Sequence, residues 1–257
     1  MNELKLLSWN VNGVRAVEKK GFLEWLQEAA PDILCLQETK AHPEQLSQAL
    51  LAPDHYTAYW NHPERKGYSG VAVYSRKEPV QVVQGFGVER FDAEGRVLVA
   101  TYPEFTLLNV YFPNGKRSEE RLQYKLDFYD AFLEHILGLR QAGQKLLICG
   151  DVNTAHTKLD LSNPRDNETT SGFLPVERAW MDQLVHHGFV DTFRLFNTEG
   201  NNYTWWDMRT RARDRNVGWR LDYFFASDNI VDSIHGATIL PDVMGSDHCP
   251  VSLTLHT

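Results

Sequence analysis

Short hydrophobic runs recur along the chain and are separated by polar segments that contain glycine, proline, asparagine or aspartate. The runs are rich in valine, isoleucine, leucine and aromatic residues, which is typical of buried β-strands. The pattern predicts eight strands, at Leu4–Trp9, Ile33–Gln37, Gly70–Tyr74, Val97–Thr101, Phe105–Tyr111, Lys145–Cys149, Leu221–Phe225 and Val251–Leu255.

Hydrophobic residues three and four positions apart predict a long helix between two of these strands. Ser118 is a suitable N-cap, and Glu119 and Glu120 stand in the first turn, where the helix dipole favours acids. Gly143 lies beyond the end. The face expected to turn inward comprises Leu122, Leu126, Tyr129, Leu133, Ile136 and Leu137.

Two further helices are predicted. One begins at Pro175 and stops near Gly188, because proline suits the first helical position and glycine favours termination. A shorter helix covers Phe22–Ala29 and is closed by Pro31. The residues of the Pro175 helix expected to point inward are Val176, Trp180, Leu184 and Val185.

Several predicted strands end in polar clusters, which suggests that these ends share one rim. Such clusters occur at Ser8–Gly13, Gln37–Glu38, Asn114–Gly115 and Gly150–Asn153. Loops at strand ends are where a rigid sheet presents chemistry. Two packed sheets with helices outside would produce this order of elements. No linker or low-complexity tract divides the chain, so residues 1–257 are expected to form a single domain.

Glu38 is the acidic residue that is hardest to explain as a turn former, because it directly follows the apolar strand Ile33–Gln37. A carboxylate that projects from a buried strand needs a partner or a metal ion. No histidine or cysteine cluster accompanies it. Hard oxygen ligands favour Mg²⁺, with Mn²⁺ as a substitute, over zinc.

His248 stands between a polar turn and the apolar strand that begins at Val251. A histidine in this position could protonate or polarise a phosphate oxygen, and it would need a carboxylate to fix its tautomer. Asp222, which lies within Gly218–Tyr223, is the best candidate for that carboxylate.

A segment rich in tryptophan and arginine lies between Tyr203 and Trp219, in a chain whose formal net charge is −8. The negative total argues against a protein that coats nucleic acid nonspecifically, but it allows a local basic face. Five arginines fall between positions 209 and 220, and this concentration is expected to lie near something negative, such as a DNA backbone, or to extend into solvent as a solvated loop. Arginine pairs with phosphate, and flat rings can line a pocket for a flipped-out sugar.

The cysteine count and the hydropathy pattern indicate the cellular compartment in which the protein is expected to work. Cys35, Cys149 and Cys249 form an odd set without metal or redox spacing, and we expect buried thiols in a reducing environment. The N-terminus carries no secretory pattern, and no apolar window is long enough for a membrane span. These features indicate a cytoplasmic protein without a membrane partner, associated with the nucleoid if the source is prokaryotic.

Seven segments occur in an order that resembles the exonuclease III family of AP endonucleases, within the endonuclease/exonuclease/phosphatase superfamily. The resemblance covers essentially the full chain, and the ordered set is far more specific than any one hexapeptide. The segments are Ser8–Gly13, Leu36–Glu38, Lys66–Val71, Asn109–Asn114, Gly150–Thr154, Asn216–Tyr223 and Gly245–Pro250.

The resemblance implies a fold and an activity. The fold would be a four-layer α/β/β/α sandwich of two packed mixed β-sheets flanked by helices. The activity would be metal-dependent hydrolysis of the DNA backbone 5′ to abasic sites, with 3′–5′ exonuclease and 3′-end-cleaning activity and action on damaged or deaminated bases. The expected partner is double-stranded DNA with abasic sites or 3′ ends, bound by a monomer.

The resemblance also implies roles for individual residues. Asp151 would orient or deprotonate the attacking water, Asn153 would hold it in register, and Tyr111 would hydrogen-bond the phosphate. His248 with Asp222 would contact the scissile phosphate, and Asp247 would support the histidine or the metal. Glu38 resembles the principal metal ligand, with Asn10 and Asn12 close by.

On the substrate side, Trp205 and Trp219 resemble the walls of the family's abasic-sugar pocket, and Asn167 matches a phosphate-contacting asparagine. The remaining expected DNA contacts are Arg209, Arg211, Asn114, Lys116, Arg117 and Lys66.

Two other functions fit parts of the sequence. The superfamily includes phosphatases and phospholipases that act on small phosphoesters, but the Arg/Trp segment argues for duplex DNA. A non-catalytic DNA-binding module is the second alternative. The presence of Glu38, Asp151, Asn153, Asp222 and His248 argues against it.

Overall fold

The computed structural model describes residues 3–256, in which the strands form two six-stranded sheets and one short two-stranded pair. The strands are β1 (Glu3–Asn10), β2 (Ile33–Gln37), β3 (Thr57–Asn61), β4 (Val71–Ser75), β5 (Gln81–Gln84), β6 (Val97–Thr101), β7 (Thr106–Tyr111), β8 (Leu146–Asp151), β9 (Phe189–Asp191), β10 (Trp205–Trp206), β11 (Gly218–Trp219), β12 (Asp222–Ser227), β13 (Ile234–Ile239) and β14 (Val251–His256).

Helices occupy the connections between these strands, and two of them are long. The α-helices are α1 (Val14–Glu18), α2 (Phe22–Ala29), α3 (Gln48–Leu51), α4 (Glu89–Asp92), α5 (Glu119–Gln141), α6 (Pro175–His186) and α7 (Thr192–Phe196). None of the helices within residues 3–256 is both long enough and apolar enough to cross a membrane.

Each large sheet contains one parallel pair near its centre. The first sheet has the order β13-β14-β1-β2-β4-β3, and the second has the order β5-β6-β7-β8-β12-β9. Strands β1 and β2 are parallel, as are β7 and β8, while the other pairs are antiparallel. The parallel pairs matter for the site, because the carboxyl ends of both strands of such a pair reach the same edge.

The sheets pack face to face and carry helices on their outer sides. Inner-face residues such as Leu6 and Cys35 of the first sheet meet Leu107 and Cys149 of the second in one buried cluster. Helices α1 and α2 pack on the outer face of the first sheet, and α5 and α6 pack on that of the second. This arrangement confirms the four-layer sandwich of two mixed sheets expected from the sequence.

All eight predicted strands are present, with ends displaced by no more than two residues. Six strands were not predicted: β3, β5, β9, β10, β11 and β13. Strand β5 lies at a sheet edge with mostly exposed side chains, and β13 pairs with β14 through an irregular register. Short or edge strands bury too little apolar surface to leave a hydrophobic run in the sequence.

The long helix α5 begins as predicted, because the Ser118 hydroxyl accepts a hydrogen bond from the Arg121 amide at 3.3 Å. The predicted inner face of α6 was partly wrong: Val176 and Val185 are exposed, whereas Trp180 and Leu184 are buried. At about 100° per residue, both valines lie a quarter turn from the centre of the buried stripe, on opposite sides. The same stripe includes Met181 and, unexpectedly for a charged residue, Glu177.

The three cysteines are free thiols and all are buried. Cys35 and Cys149 lie in the cluster between the two sheets. Burial raises the pKa of the Cys249 thiol, which keeps it protonated. The prediction that all three cysteines are buried thiols is confirmed.

Candidate active site

The site lies at the rim where the two central parallel pairs end. Strand β1 ends at Asn10 and strand β2 ends one residue before Glu38, in the first sheet. In the second sheet β7 ends at Tyr111 and β8 ends at Asp151. Asp222 opens β12 directly opposite Asp151 in the antiparallel register. The polar strand ends predicted to share one rim therefore do so.

His248 and Asp222 are hydrogen-bonded, with 2.8 Å between the histidine Nδ1 and a carboxylate oxygen. The other ring nitrogen, Nε2, lies 3.9 Å from an Asp151 oxygen. All three side chains are buried. This geometry fixes the orientation of the imidazole and turns Nε2 toward Asp151.

The surroundings of His248 and Asp151 raise the pKa values of both side chains. Burial alone would lower the pKa of His248, but the charge and hydrogen bond of Asp222, together with Asp151 and Asp247, raise it to about 10. Burial raises the pKa of Asp151 to about 7, although His248 opposes that shift. An imidazolium donor and a carboxylate that titrates near neutrality thus stand side by side.

Glu38 is connected to Asp151 by a shared amide donor. The side-chain nitrogen of Asn10 donates to Glu38 at 3.0 Å and to Asp151 at 2.9 Å. The Asn10 side-chain oxygen accepts from the Asn12 backbone amide at 2.9 Å, and the Asn12 side chain donates to Asp247 at 2.9 Å. Both asparagines present nitrogen to the carboxylates and thereby orient the acids, while the Asn12 side-chain oxygen accepts from the Lys40 ammonium.

A cation fits beside Glu38. The Lys40 ammonium lies 2.8 Å from a Glu38 oxygen and also donates to the Asn12 side chain, which shows that this position attracts positive charge. Nearby, Asp151, Asp222 and His248 place one potential ligand atom each within 4.8 Å of one another. One Asp222 oxygen is buried without a hydrogen-bond partner among the described residues. A donor set dominated by carboxylate oxygen suits a hard divalent cation.

The backbone at the rim adopts conformations that cost energy. Asn12, Glu38 and Asn153 have φ values of 46°, 55° and 55°, in the left-handed region. Gly150, with φ 136°, precedes Asp151, and a Cβ atom there would lie 1.9 Å from the Val110 carbonyl oxygen. Non-glycine residues in this region cluster at functional sites, where the surrounding structure holds them in place.

Asn153 joins Asp151 to the loop that follows β7. Its backbone amide donates to Asp151 at 2.8 Å, and its side-chain nitrogen donates to the Phe112 carbonyl at 3.0 Å. Its side-chain oxygen accepts from Asn114 at 2.8 Å. The position of Asp151 is therefore set by a chain of amides that extends to the predicted DNA-contacting residue Asn114.

Tyr111, the last residue of β7, packs against a buried arginine. The Arg96 guanidinium donates to the Tyr111 carbonyl at 2.9 Å and lies 4.8 Å from the centre of the tyrosine ring. Burial, with the charge of Glu38 next, raises the pKa of Tyr111 well above its usual value. The hydroxyl is therefore a permanent hydrogen-bond donor.

An aromatic pocket adjoins these groups. Trp205 and Trp219 are paired across the two-stranded β10–β11 ribbon, and the Trp205 indole donates to Asp247 at 3.1 Å. Together with Leu221 and Lys116 they line the cavity of about 360 Å³ that also contains Glu38, Asp151 and His248. The pocket and the catalytic candidates are thus parts of one space.

The remaining predicted DNA contacts lie outside that cavity. Arg209, Arg117 and Arg211 are exposed, and Arg211 pairs with Asp214 at 2.7 Å. Lys66 pairs with the exposed Glu44 at 2.7 Å. Asn167 donates to the Asn163 carbonyl at 2.8 Å and does not line the cavity. These residues do not line the cavity that contains Glu38, Asp151 and His248.

Two of the five arginines between 209 and 220 are used within the fold, and the negative partners of Arg220 are the protein's own carboxylates. Arg220 is buried and pairs with Asp160 at 2.7 Å and with Asp191 at 2.6 Å. Arg213 lies over the Trp206 ring at 4.6 Å and donates to the Val243 carbonyl at 2.8 Å. Both stabilise the connection between β10 and β12.

Sequence reasoning did not identify three buried or partly buried cations. Lys40 contacts Glu38, and Arg96 contacts Tyr111. Lys125 forms a buried ion pair with Glu177. The Lys125 ammonium lies 2.6 Å from Glu177 and donates to the Asn153 carbonyl at 2.8 Å. Lys125 interrupts the apolar face of α5, and a charge in such a stripe was a signal that could have been used.

The fold and the site together define a class of protein. A buried histidine–carboxylate pair, a second carboxylate that titrates near neutrality and a cation position meet at the rim of a two-sheet sandwich. This set of groups suits metal-assisted hydrolysis of a phosphoester.

Comparison with known proteins agrees with this class. The model of the Endonuclease/Exonuclease/phosphatase family matches residues 7–248. An exodeoxyribonuclease from Bacillus subtilis is 46% identical over 98% of this chain and 100% of its own length. The DNA repair nuclease APEX1 of Danio rerio is 43% identical over 98% of this chain and 82% of its own length.

A solved structure shows the same architecture. The AP endonuclease LMAP of Leishmania major superposes with a TM-score of 0.90 at 30% identity, covering 99% of this chain and 88% of that one. The chain belongs to the Endonuclease/Exonuclease/phosphatase family, a family of metal-dependent nucleases. Among its members it stands with the exodeoxyribonucleases and AP endonucleases, and it is a hydrolytic DNA repair nuclease.

Proposed function

We propose that this nuclease hydrolyses the DNA backbone on the 5′ side of abasic sites, with Mg²⁺ as its ion and Mn²⁺ as a substitute. The single observation that carries the proposal is the cavity in which His248, Asp151 and Glu38 face the Trp205–Trp219 pocket. A phosphate at the first group of residues would place the adjoining sugar, freed of its base, between the two indoles.

Glu38 and Asp247 are the residues that would hold the divalent ion, with Asn10 and Asn12 orienting them. Their oxygen atoms match the ligand preference of Mg²⁺, and the Lys40 ammonium already balances charge at Glu38. When bound, the ion would neutralise charge that develops on the phosphate and on the leaving 3′ oxygen.

The protein's own groups divide the remaining work. His248, kept protonated by Asp222, donates from Nε2 to a phosphate oxygen, and the Tyr111 hydroxyl donates to another. Asp151, whose pKa is raised to about 7, orients the attacking water and accepts its proton. Asn153 holds Asp151 and the water in register through the hydrogen bonds described above.

The surface around the cavity supports the choice of DNA over a small phosphoester. Asn114 and Lys116 lie at the cavity, and the exposed Arg209, Arg211 and Arg117 extend positive charge beyond it. Lys66 and Asn167 are the outermost members of the proposed contact surface. A small phosphoester would need none of this outer surface, and a non-catalytic module would not need the buried His248–Asp222 pair.

The proposed unit of function is the whole chain, 1–257, acting as a monomer on double-stranded DNA with abasic sites or 3′ ends. We further propose 3′–5′ exonuclease and 3′-end-cleaning activity, and a cytoplasmic location with access to the chromosome. The buried reduced thiols support that compartment.

A panel of end-labelled duplexes tests the substrate. One duplex each would carry an abasic site, a nick, a blocked 3′ end and uracil, and a soluble phosphate monoester would be included. We expect the abasic duplex to be cut fastest on its 5′ side. Faster hydrolysis of the monoester than of any duplex would refute the proposal.

The same panel tests the metal. Activity should be lost in excess chelator and restored by Mg²⁺, and Glu38→Gln should raise the Mg²⁺ concentration needed for half-maximal rate by about tenfold or more. Glu134→Gln, which changes an exposed acid on α5, serves as the matched control. Full activity of the wild-type protein in excess chelator would rule out the metal requirement.

A further inference from the structure

Lys116 occupies an unusual position between the two indoles of the aromatic pocket. Its ammonium nitrogen lies 5.2 Å from the centre of the Trp205 ring and 5.1 Å from that of Trp219. The residue is therefore in the space that the proposed function assigns to the abasic sugar. No role in phosphate hydrolysis requires a primary amine at this point.

The backbone that carries Lys116 is held in place. Its amide donates to the Asn114 side-chain oxygen at 2.9 Å, and the Asn114 nitrogen donates to Asn153 at 2.8 Å. The preceding residue, Gly115, is packed so closely that a Cβ atom would lie 2.6 Å from the Ser171 hydroxyl. The amine is consequently presented to the pocket by a loop that is tied to the catalytic residues.

Two lysines line the cavity, and they differ in their partners. Lys40 is neutralised by Glu38 at 2.8 Å. Lys116 has no carboxylate within salt-bridge distance among residues 3–256, and its ammonium lies over the faces of both indole rings. Desolvation lowers the pKa of the Lys116 ammonium, although the charges of Glu177, Asp151 and Asp207 oppose that shift and the indole faces favour the charged form. The residue is exposed, so a substrate aldehyde can reach its amine.

We infer that Lys116 forms an imine with the aldehyde of a ring-opened abasic sugar bound between Trp205 and Trp219. The structure thereby assigns to this protein a second, metal-independent activity, cleavage on the 3′ side of the abasic site by β-elimination. This inference rests on the proposed function, because it requires the abasic sugar to enter that pocket.

The steps balance without an added oxidant or reductant. The neutral amine adds to the aldehyde carbon C1′, and one of its protons passes to the former carbonyl oxygen. A second proton, taken from solvent, lets that oxygen leave as water and gives the protonated imine. Loss of a C2′ proton to solvent gives an enamine, whose electrons form the C2′–C3′ double bond as the C3′–oxygen bond breaks. The phosphate leaves on the downstream strand, and water hydrolyses the imine to release Lys116 and an unsaturated aldehyde.

Borohydride trapping tests the covalent step. The full chain is incubated in chelator with an abasic duplex at saturating protein concentration, and sodium borohydride then reduces any imine to a stable amine. We expect a covalent protein–DNA adduct that maps to Lys116 by peptide mass spectrometry. Lys116→Arg keeps the charge but cannot form this imine, so its adduct yield per bound duplex should fall by about tenfold or more.

Lys158→Gln, which alters an exposed lysine paired with Glu168, is the control and should trap as well as the wild type. An adduct of equal yield in Lys116→Arg, or one that maps to Lys40, would overturn the inference. The wild-type protein is also incubated with a tetrahydrofuran duplex, which has no aldehyde. If its adduct yield with the abasic duplex does not exceed the yield with this duplex, the inference is overturned as well.

The tetrahydrofuran duplex also separates this inference from the proposed function. With Mg²⁺ the same protein should cut that duplex on the 5′ side, since hydrolysis needs no aldehyde. If this cut occurs and no adduct forms, only the imine is refuted. If this cut fails, the proposed function itself is refuted.

Discussion

At the scale of single residues, the protonation of His248 is decided by its neighbours. An isolated buried imidazole would be neutral, because burial disfavours its charged form. Asp222, Asp151 and Asp247 reverse that preference and raise its pKa to about 10. The role of the histidine therefore depends on carboxylates that come from three different parts of the chain.

We predict that His248→Ala and Asp151→Asn each reduce single-turnover cleavage of an abasic duplex by about a thousandfold or more, while binding in chelator persists. The rate loss follows because one change removes the phosphate donor and the other removes the proton acceptor. His156→Ala is the matched control, since His156 forms an equally short pair with Asp182, 2.8 Å, away from the cavity. Turnover above a tenth of the wild-type rate in either site variant would contradict the assigned roles.

At the scale of elements, buried ion pairs connect the catalytic strands to the rest of the fold. Asp160 stands in a short turn before α6 and pairs with Arg220, which precedes β12, and with Arg194 of α7. Burial alone would raise the pKa of Asp160, but the charges and hydrogen bonds of the two arginines hold it well below its usual value. This network supports the segment that carries Trp219 and Asp222.

We predict that Asp160→Asn lowers the free energy of unfolding at pH 7 by about 3 kcal/mol, because it removes the carboxylate partner of Arg194 and one of the two carboxylates that compensate the buried Arg220. A carboxylate with a depressed folded pKa stabilises the protein above its unfolded pKa of about 3.9, and that stability is lost as the pH falls below this value. The difference in free energy of unfolding between Asp160→Asn and the wild type should therefore become smaller as the pH is lowered from 7 to 2. Denaturant titrations at several pH values measure this difference.

Asp127→Asn provides the comparison for this titration, because Asp127 pairs with Arg90 on the surface at 2.9 Å. An exposed pair of this kind contributes at most about 1 kcal/mol. A loss for Asp160→Asn that is no larger than this, or one that does not change with pH, would show that the network has no stabilising role.

At the scale of the whole molecule, positive charge is concentrated locally in a chain whose net charge is −8. Arg209 and Arg211 are exposed beside the ribbon that carries the aromatic pocket, whereas Arg213 and Arg220 are used inside the fold. Exposed arginines of this kind can release counterions when they contact a DNA backbone, whereas the two that are used inside the fold cannot.

We predict that Arg209→Ala and Arg211→Ala each lower the salt slope of abasic-duplex binding by about 0.9, because each removes one phosphate contact. Trp219→Ala should instead reduce discrimination between abasic and intact duplex with little change in slope, since it removes a pocket wall. Lys145→Ala is the charge-matched control, because the exposed Lys145 precedes β8 at the end of the strand remote from Asp151. Unchanged slopes in both arginine variants would show that this surface does not contact DNA.

Much of the architecture was predictable because buried strands leave hydrophobic runs and helices leave a 3.6-residue period. The eight strongest strands and the helices α2, α5 and α6 follow from that pattern, and the polar strand ends indicate the rim. Strand β5, at an exposed edge, left no such pattern and was missed. Val176 and Val185 were misplaced because spacing defines a stripe only to within about a quarter turn.

The sequence by itself determined which chemical groups stand at the strand ends, that they are oxygen donors with one histidine, and that an Arg/Trp segment accompanies them. Only the tertiary structure decided that Asp222 is the partner of His248, that Asn10 bridges Glu38 and Asp151, and that Lys116 lies between the two indoles. The physical reason is that pKa values, ion pairing and access depend on distances between residues far apart in the chain. Those distances are set by how the two sheets pack.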